Sequence, residues 1–177
     1  GVIALNDKVA FPWFAPAGYT RAVLLNVANA VVRLNDVDRD NASDARVNPI
    51  TWSPDAGWAI TGQKTLQLRQ SALDRVNVRR MLVEIKRQIV KAAMQVVFEQ
   101  NDTTTRAALK KNIEQKLGTV KAQSGVEDFR VVLDETNNSQ NDIDLNRMNV
   151  SVIVVPTRSI EYVVIDFIVT RSGITFQ

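Results

Sequence analysis

The chain has 177 residues, of which 45% are hydrophobic and 23% charged, and its formal net charge is +3. That length and balance suit one globular domain with a real core, or one domain plus an appendage. It contains no cysteine and no histidine, which excludes disulfides, thiolate nucleophiles, Ser-His-Asp triads and the usual zinc ligands, and leaves carboxylate-based chemistry possible for an enzyme.

The chain opens with Gly1 rather than methionine and displays no signal peptide, so a fragment or a processed form is the expectation. Residues 1–18 read as an extended segment. Within it, "FPWFAPAGYTR" puts four of the eleven aromatic residues beside two prolines and a glycine. Proline fixes φ and lacks an N–H, so this stretch is neither a helix interior nor a central strand. Residues 21–34 are apolar and ambiguous between helix and strand. A short helix is expected over 37–46. Turn signals at Ser53-Pro54-Asp55 and Ala56-Gly57 precede two short strands, over 58–61 and 65–68, placed around Gly62.

The clearest element is a long helix over 78–100. Its apolar stripe is Val78, Leu82, Ile85, Ile89, Ala92 and Val96, in steps of four and three. Leu82, Ile85 and Ile89 are expected in the core, with Arg79, Lys86, Arg87 and Lys91 off the stripe. A second helix follows, capped by Asp102 or Thr103, with a stripe of Leu109, Ile113, Leu117 and Val120. Gly125 suits the turn after it. A strand begins at Val126, and "TNNSQNDID" reads as a polar loop. Two further strands, in "NVSVIVVP" and "IEYVVIDFIVT", are joined by "PTRS" as a hairpin. Val152 to Val155 are apolar on both faces, which predicts burial on both sides. The ending "RSGITFQ" alternates in strand fashion. The fold class is α+β: two consecutive helices packed on a mostly antiparallel sheet, with an extended N-terminal segment and a β-like C-terminal arm. The division is an entry segment over 1–20, a domain over 21–170 and an arm over 171–177.

No phosphate loop is present, since "TGQKT" lacks the Walker spacing. "LDETNNSQNDIDLN" groups four acids but lacks the ordered calcium-loop pattern and its glycine. No cofactor is expected. Residues 78–122 hold ten Lys/Arg against four Asp/Glu, so an acidic partner or a plain solvated face both fit. A basic nucleic-acid-binding domain is the alternative reading. It is weakened because Phe98 is the single aromatic among those charges, and stacking grooves interleave the two.

Taken in order, the motifs resemble the C-terminal domain of contractile tail sheath proteins from myovirus-type phages and related injection machines. "FPWFAPAGYTR" is similar to the family's aromatic-x-Ala-Pro-Ala-Gly-x-x-Arg, and "RVNPI" to its Ile-Asn-Pro-Ile. "VNVRRML" resembles the entry to its long helix and "VVFEQND" the exit. "LDETNN" and "IDLNRMNVSVIVVPTRSIEYVVIDF" resemble its closing strands. Two departures stand out. The chain has Gly62-Gln63-Lys64-Thr65-Leu66 where the family has Gly-x-Arg-Thr-Leu, and lysine keeps the charge but not the bidentate fork. The family's N-terminal portion and insertion domains have no counterpart here.

The resemblance implies a structural subunit without chemistry of its own, polymerising as stacked rings around an inner tube. Contraction would drive that tube through a target envelope. The implied partners are other sheath subunits, the inner tail tube protein, and baseplate and tail terminator proteins, with no nucleic acid and no direct membrane insertion. The implied location is the virion tail, after assembly in the host bacterial cytoplasm. The implied inter-subunit arm is Gly173, Ile174, Thr175 and Phe176, which would add a strand to a neighbour's sheet. The tube-facing candidates are Arg106, Lys110, Lys111, Lys116 and Lys121 on the second helix. The aromatic entry segment is expected to be packed down on the domain, by Trp and Phe anchors.

Overall fold

The computed structural model describes residues 1–165. In chain order they form α1 (Val2–Val9), α2 (Asp36–Asp44), β1 (Ile50–Ser53), β2 (Gly57–Ile60), a 3-10 turn (Ala72–Asp74), α3 (Val76–Met94), α4 (Thr103–Ala122), β3 (Val126–Val132), α5 (Gln140–Asp144) and β4 (Ser151–Pro156). The class is α+β, as the sequence predicts. The strands make two small antiparallel sheets rather than one, β1 with β2 and β3 with β4.

The core lies between α3, α4 and the inner face of β3–β4. Leu109, Ile113, Leu117 and Val120 are all buried, so the α4 stripe faces inward as its spacing requires. The α3 stripe is rotated slightly from expectation. Val78, Met81, Ile85 and Ala92 are buried, while Leu82 and Ile89 are only half-buried at its edge. Met81 replaces Leu82 because α4 approaches from that side of the helix. On the sheet, Phe129 pairs with Val154 and Val131 with Val152, all four pointing inward.

Capping sets the helix limits. Asp102 accepts the Thr105 N–H at 2.7 Å and starts α4. Asn35 and Asp38 form a capping box that starts α2, and Ser139 and Asp142 another that starts α5. That second box turns part of the expected polar loop into a one-turn helix. α3 ends at Met94, earlier than the periodicity suggests. The β-branched pair Val96-Val97 is a weak helix continuation, and Phe98 reverses the chain with φ 73°.

Other expectations are corrected. Residues 2–9 are helical, not extended. Residues 65–68 form no strand, since only Lys64 bridges to Arg75. Residues 21–34 form neither helix nor strand. Instead Val23 bridges Ala59, and hydrogen bonds from Leu24 to Trp58 and from Ile60 to Ala22 lay this stretch along β2. Residues 160–165 carry no strand, and the rest of that expected strand, 166–170, lies outside the described residues; among the described residues β4 pairs with β3 and forms no hairpin with the segment after it. Ile153 and Val155 are exposed, so β4 is covered on one face only. The arm residues Gly173, Ile174, Thr175 and Phe176 lie outside the described residues.

Candidate interaction surfaces

The aromatic entry segment is docked onto the domain. Trp13 is buried, and its Nε1 donates to the Gln123 carbonyl at 2.9 Å, at the end of α4. Its ring fills the space that a side chain at position 125 would need. A Cβ on Gly125 would stand 3.1 Å from the Trp13 ring and 2.5 Å from Val120 Cγ1. The left-handed residue of that turn is Ser124, with φ 59°. Gly125 is therefore there for room, not for its backbone freedom. Phe11 stacks on Trp13 at 5.0 Å, and Arg21 lies over Phe14 at 5.3 Å. α1 is tied to α3 by Arg80, which pairs with Asp7 at 2.5 Å and donates to the Pro12 carbonyl at 3.1 Å.

The chain leaving β4 is held at Ser159 and, more strongly, at Glu161. Glu161 receives two bonds from Arg75, Nε to Oε1 at 2.6 Å and Nη2 to Oε2 at 2.9 Å. Gln63 donates to the same carboxylate at 3.2 Å. Arg75 Nη1 stands 3.0 Å from Asp74 Oδ2. The bond to Glu161 raises the Arg75 pKa above its ordinary value, against the opposing effect of burial. Asn77 donates to Ser159 Oγ at 3.1 Å and to the Trp13 carbonyl at 3.4 Å. One asparagine thus ties the entry of the chain to its exit. A cleft of about 720 Å³ separates these two segments, and Gln63 Oε1 and Asn77 Oδ1, both buried on it, accept no hydrogen bond among the described residues. Past this clamp, Tyr162, Val163, Val164 and Ile165 are all exposed.

Lys64, which stands where the resembling pattern has arginine, bonds Ser43 O at 2.9 Å and pairs with no carboxylate among the described residues. The chain can dispense with a bidentate fork there because its partner is a carbonyl and a hydroxyl.

The five tube-facing candidates do not form one patch. Arg106 is buried and donates to Asn101 Oδ1 at 3.1 Å, so it locks the start of α4. Lys121 pairs with Asp128 at 2.9 Å and lies 6.0 Å from the Phe129 ring, which ties α4 to β3. Its bond holds the Asp128 carboxyl below the usual range. Lys110 borders the Leu133–Thr136 turn, where its charge helps lower the Asp134 pKa behind the larger effect of Thr136. At 100° per residue, Lys116 falls on the opposite flank of the buried stripe, and Lys111 points directly away from it. Lys111 is exposed and Lys116 half-buried.

Sequence reasoning missed the Arg75–Glu161 clamp and the Arg80–Asp7 tie. Each joins positions more than seventy residues apart, and no local pattern marks such a pair. Among the described residues no group of three acidic side chains could hold a metal ion, and no helix is long and apolar enough to cross a membrane.

Comparison with known proteins gives a consistent answer. Residues 69–170 match the family model of the phage tail sheath C-terminal domain. The whole chain is similar to the tail sheath protein of Vibrio phage KVP40, at 37% identity over 99% of its length. It is similar to that of Enterobacteria phage T4 at 34% identity over 100%. The chain spans only 26% and 27% of those two proteins. Among solved structures, a chain of the anti-feeding prophage baseplate superposes with a TM-score of 0.86, at 24% identity, over 97% of this chain and 49% of that one. A chain of an extracellular contractile injection system, the PVC sheath complex in its contracted state, superposes at 0.82, with 26% identity, over 94% of this chain and 48% of that one.

Proposed function

The chain belongs to the phage tail sheath family through its C-terminal domain, and from that membership we propose that it is a structural subunit of a contractile tail sheath. It polymerises as stacked rings around an inner tube and contracts to drive the tube through a target envelope. The observation that carries this reading is the similarity along the whole chain to two tail sheath proteins, at 37% and 34% identity.

The role is mechanical, not enzymatic. Energy stored in the extended assembly drives contraction, so no nucleotide is consumed. The sheath's partners are further sheath subunits, the inner tube protein, and baseplate and terminator proteins. It belongs to the virion tail and is assembled in the host cytoplasm. The arm Gly173–Phe176 links neighbouring subunits by strand addition, for which main-chain hydrogen bonds supply the affinity. Of the tube-facing candidates, Lys111 stands on the outer face of α4 and supplies positive charge that meets the tube, with Lys110 and Lys116 on its two flanks. Arg106 and Lys121 are held by partners within the chain and support the helix that carries the other three.

A second reading, the sheath of a phage-like injection machine, is favoured by the 26% identity to the PVC sheath complex. Electron microscopy of the protein expressed with its tube protein tests the class. Helical tubes that shorten on a contraction trigger support the sheath reading. Particles that bind duplex nucleic acid with a steep salt dependence, and form no tubes, would favour the nucleic-acid alternative.

A further inference from the structure

The long helix α3 has two apolar faces. One is buried against α4. On the other, Val83, Val90 and Met94 are 69%, 42% and 69% exposed. Steps of seven and four keep these three within about 40° of one another around the helix. A surface helix normally spends that face on polar residues, so a valine-methionine stripe in water marks a docking face. The stripe is bordered by Lys86 and Arg87, and α3 as a whole carries five basic residues against Glu84.

The same chain presents a surface of opposite charge. α2 carries four aspartates against one arginine. Val37 on its outer face is 66% exposed, and Asp40 and Asp44, three and seven residues on, share that face. Asp36 is taken up by Arg39. Asp40 and Asp44 form no ion pair among the described residues, and neither does Lys86. No hydrogen bond or ion pair joins α2 to α3 among the described residues, so the chain does not use one surface to cover the other.

We propose that the outer face of α3, Val83–Val90–Met94 with Lys86 and Arg87, seats the outer face of α2, Val37–Asp40–Asp44, of a second copy of this chain. The occupant is a second copy because the complement is present on the chain itself, apolar centre against apolar centre and acid against base. A symmetric α3–α3 contact would set basic residues against basic ones, and an α2–α2 contact acids against acids. Two different patches joined between copies make a heterologous contact, which propagates into rings or helices and does not stop at a dimer. The inference rests on the sheath reading and names a contact within it.

The absence of cysteine makes the test direct. In the Val37→Cys/Val90→Cys double variant, mild oxidation of assembled protein should give a ladder of cross-linked oligomers on a non-reducing gel. Val37→Cys alone and Val90→Cys alone should give none. Asp40→Lys with Asp44→Lys should abolish the ladder, and adding Lys86→Glu with Arg87→Glu should restore it at least partly. Dimers from Val90→Cys alone would overturn the proposal in favour of a symmetric contact. Helical tubes that form without the ladder would overturn it and leave the sheath reading intact. If the cysteine-free protein forms no tubes and no oligomers, both fall. If Lys86→Glu with Arg87→Glu sheds the tube protein and leaves the ladder unchanged, the α3 face belongs to the tube, and the proposal is wrong.

Discussion

Trp13 Nε1 donates to the Gln123 carbonyl at 2.9 Å, across 110 residues of chain. This one bond, together with the ring lying on Gly125, fastens the entry segment to the end of α4 and the start of β3. Trp13→Ala should cost about 3–5 kcal/mol, by loss of the buried ring. Trp13→Phe should cost about 1 kcal/mol beyond any repacking, since it removes only the indole donor. Urea unfolding of the two variants measures both. Equal stability of Trp13→Ala and the parent would mean that the segment is a passenger.

Gly125→Ala probes the other side of the same contact. The new methyl would sit 2.5 Å from Val120 Cγ1 and 3.1 Å from the indole, so either the ring or the turn must move. Overpacking of this kind costs about 1–3 kcal/mol. Tryptophan fluorescence should shift toward longer wavelength as the ring is pushed toward water. An unshifted spectrum with unchanged stability would contradict the packing described.

The clamp on the exit gives a local prediction. Glu161→Ala leaves Arg75 without its two strongest bonds and Gln63 without its acceptor. Loss of about 1–3 kcal/mol is expected. Amide exchange should rise first over residues 157–162 and hardly at all in α4. Arg75→Lys should give a smaller version of the same effect, because an ammonium cannot make the two-pronged contact. Uniform protection over residues 157–162 in Glu161→Ala would rule the clamp out.

Within α3, Met81→Ala should cost more than Leu82→Ala. Met81 is fully enclosed at 1% exposure, so truncation leaves a cavity worth about 2–5 kcal/mol. Leu82 stands at the edge of the core, where water refills the space. The reverse order would place the core on the stripe read from periodicity.

Asp102 and Asp142 make stability depend on acid. In the folded chain each carboxyl lies below its ordinary pKa, Asp102 through the Thr105 N–H and Asp142 through the Ser139 hydroxyl. A depressed folded pKa contributes stability that is present above the unfolded value, about 3.9, and lost as pH falls through the folded value. Helicity should therefore decline below about pH 4. Asp102→Asn should keep the cap, since asparagine caps as well, and remove that share of the decline. An acid profile identical in Asp102→Asn would show that the cap charge contributes nothing.

What the sequence determined by itself was local. The apolar stripes of α3 and α4 were legible because a helix repeats every 3.6 residues whatever lies beyond it. The start of α4 was legible as Asp102 or Thr103 because a cap bonds within its own first turn, and the structure picks Asp102. The order of short motifs was enough to identify the family before any contact was known. The tertiary structure decided everything that joins distant positions. α1 has eight residues and no side-chain cap, too little to be stable alone, and the Arg80–Asp7 pair and the docked aromatic segment hold it. Arg106 looked like one more surface cation until its approach to Asn101 placed it inside. Glu161 sits in an apolar, alternating stretch that reads as a strand, yet Arg75 fixes it without one. A strand needs an edge to pair with, and that edge is supplied by another part of the chain or by another molecule. No spacing within the segment records whether it is there.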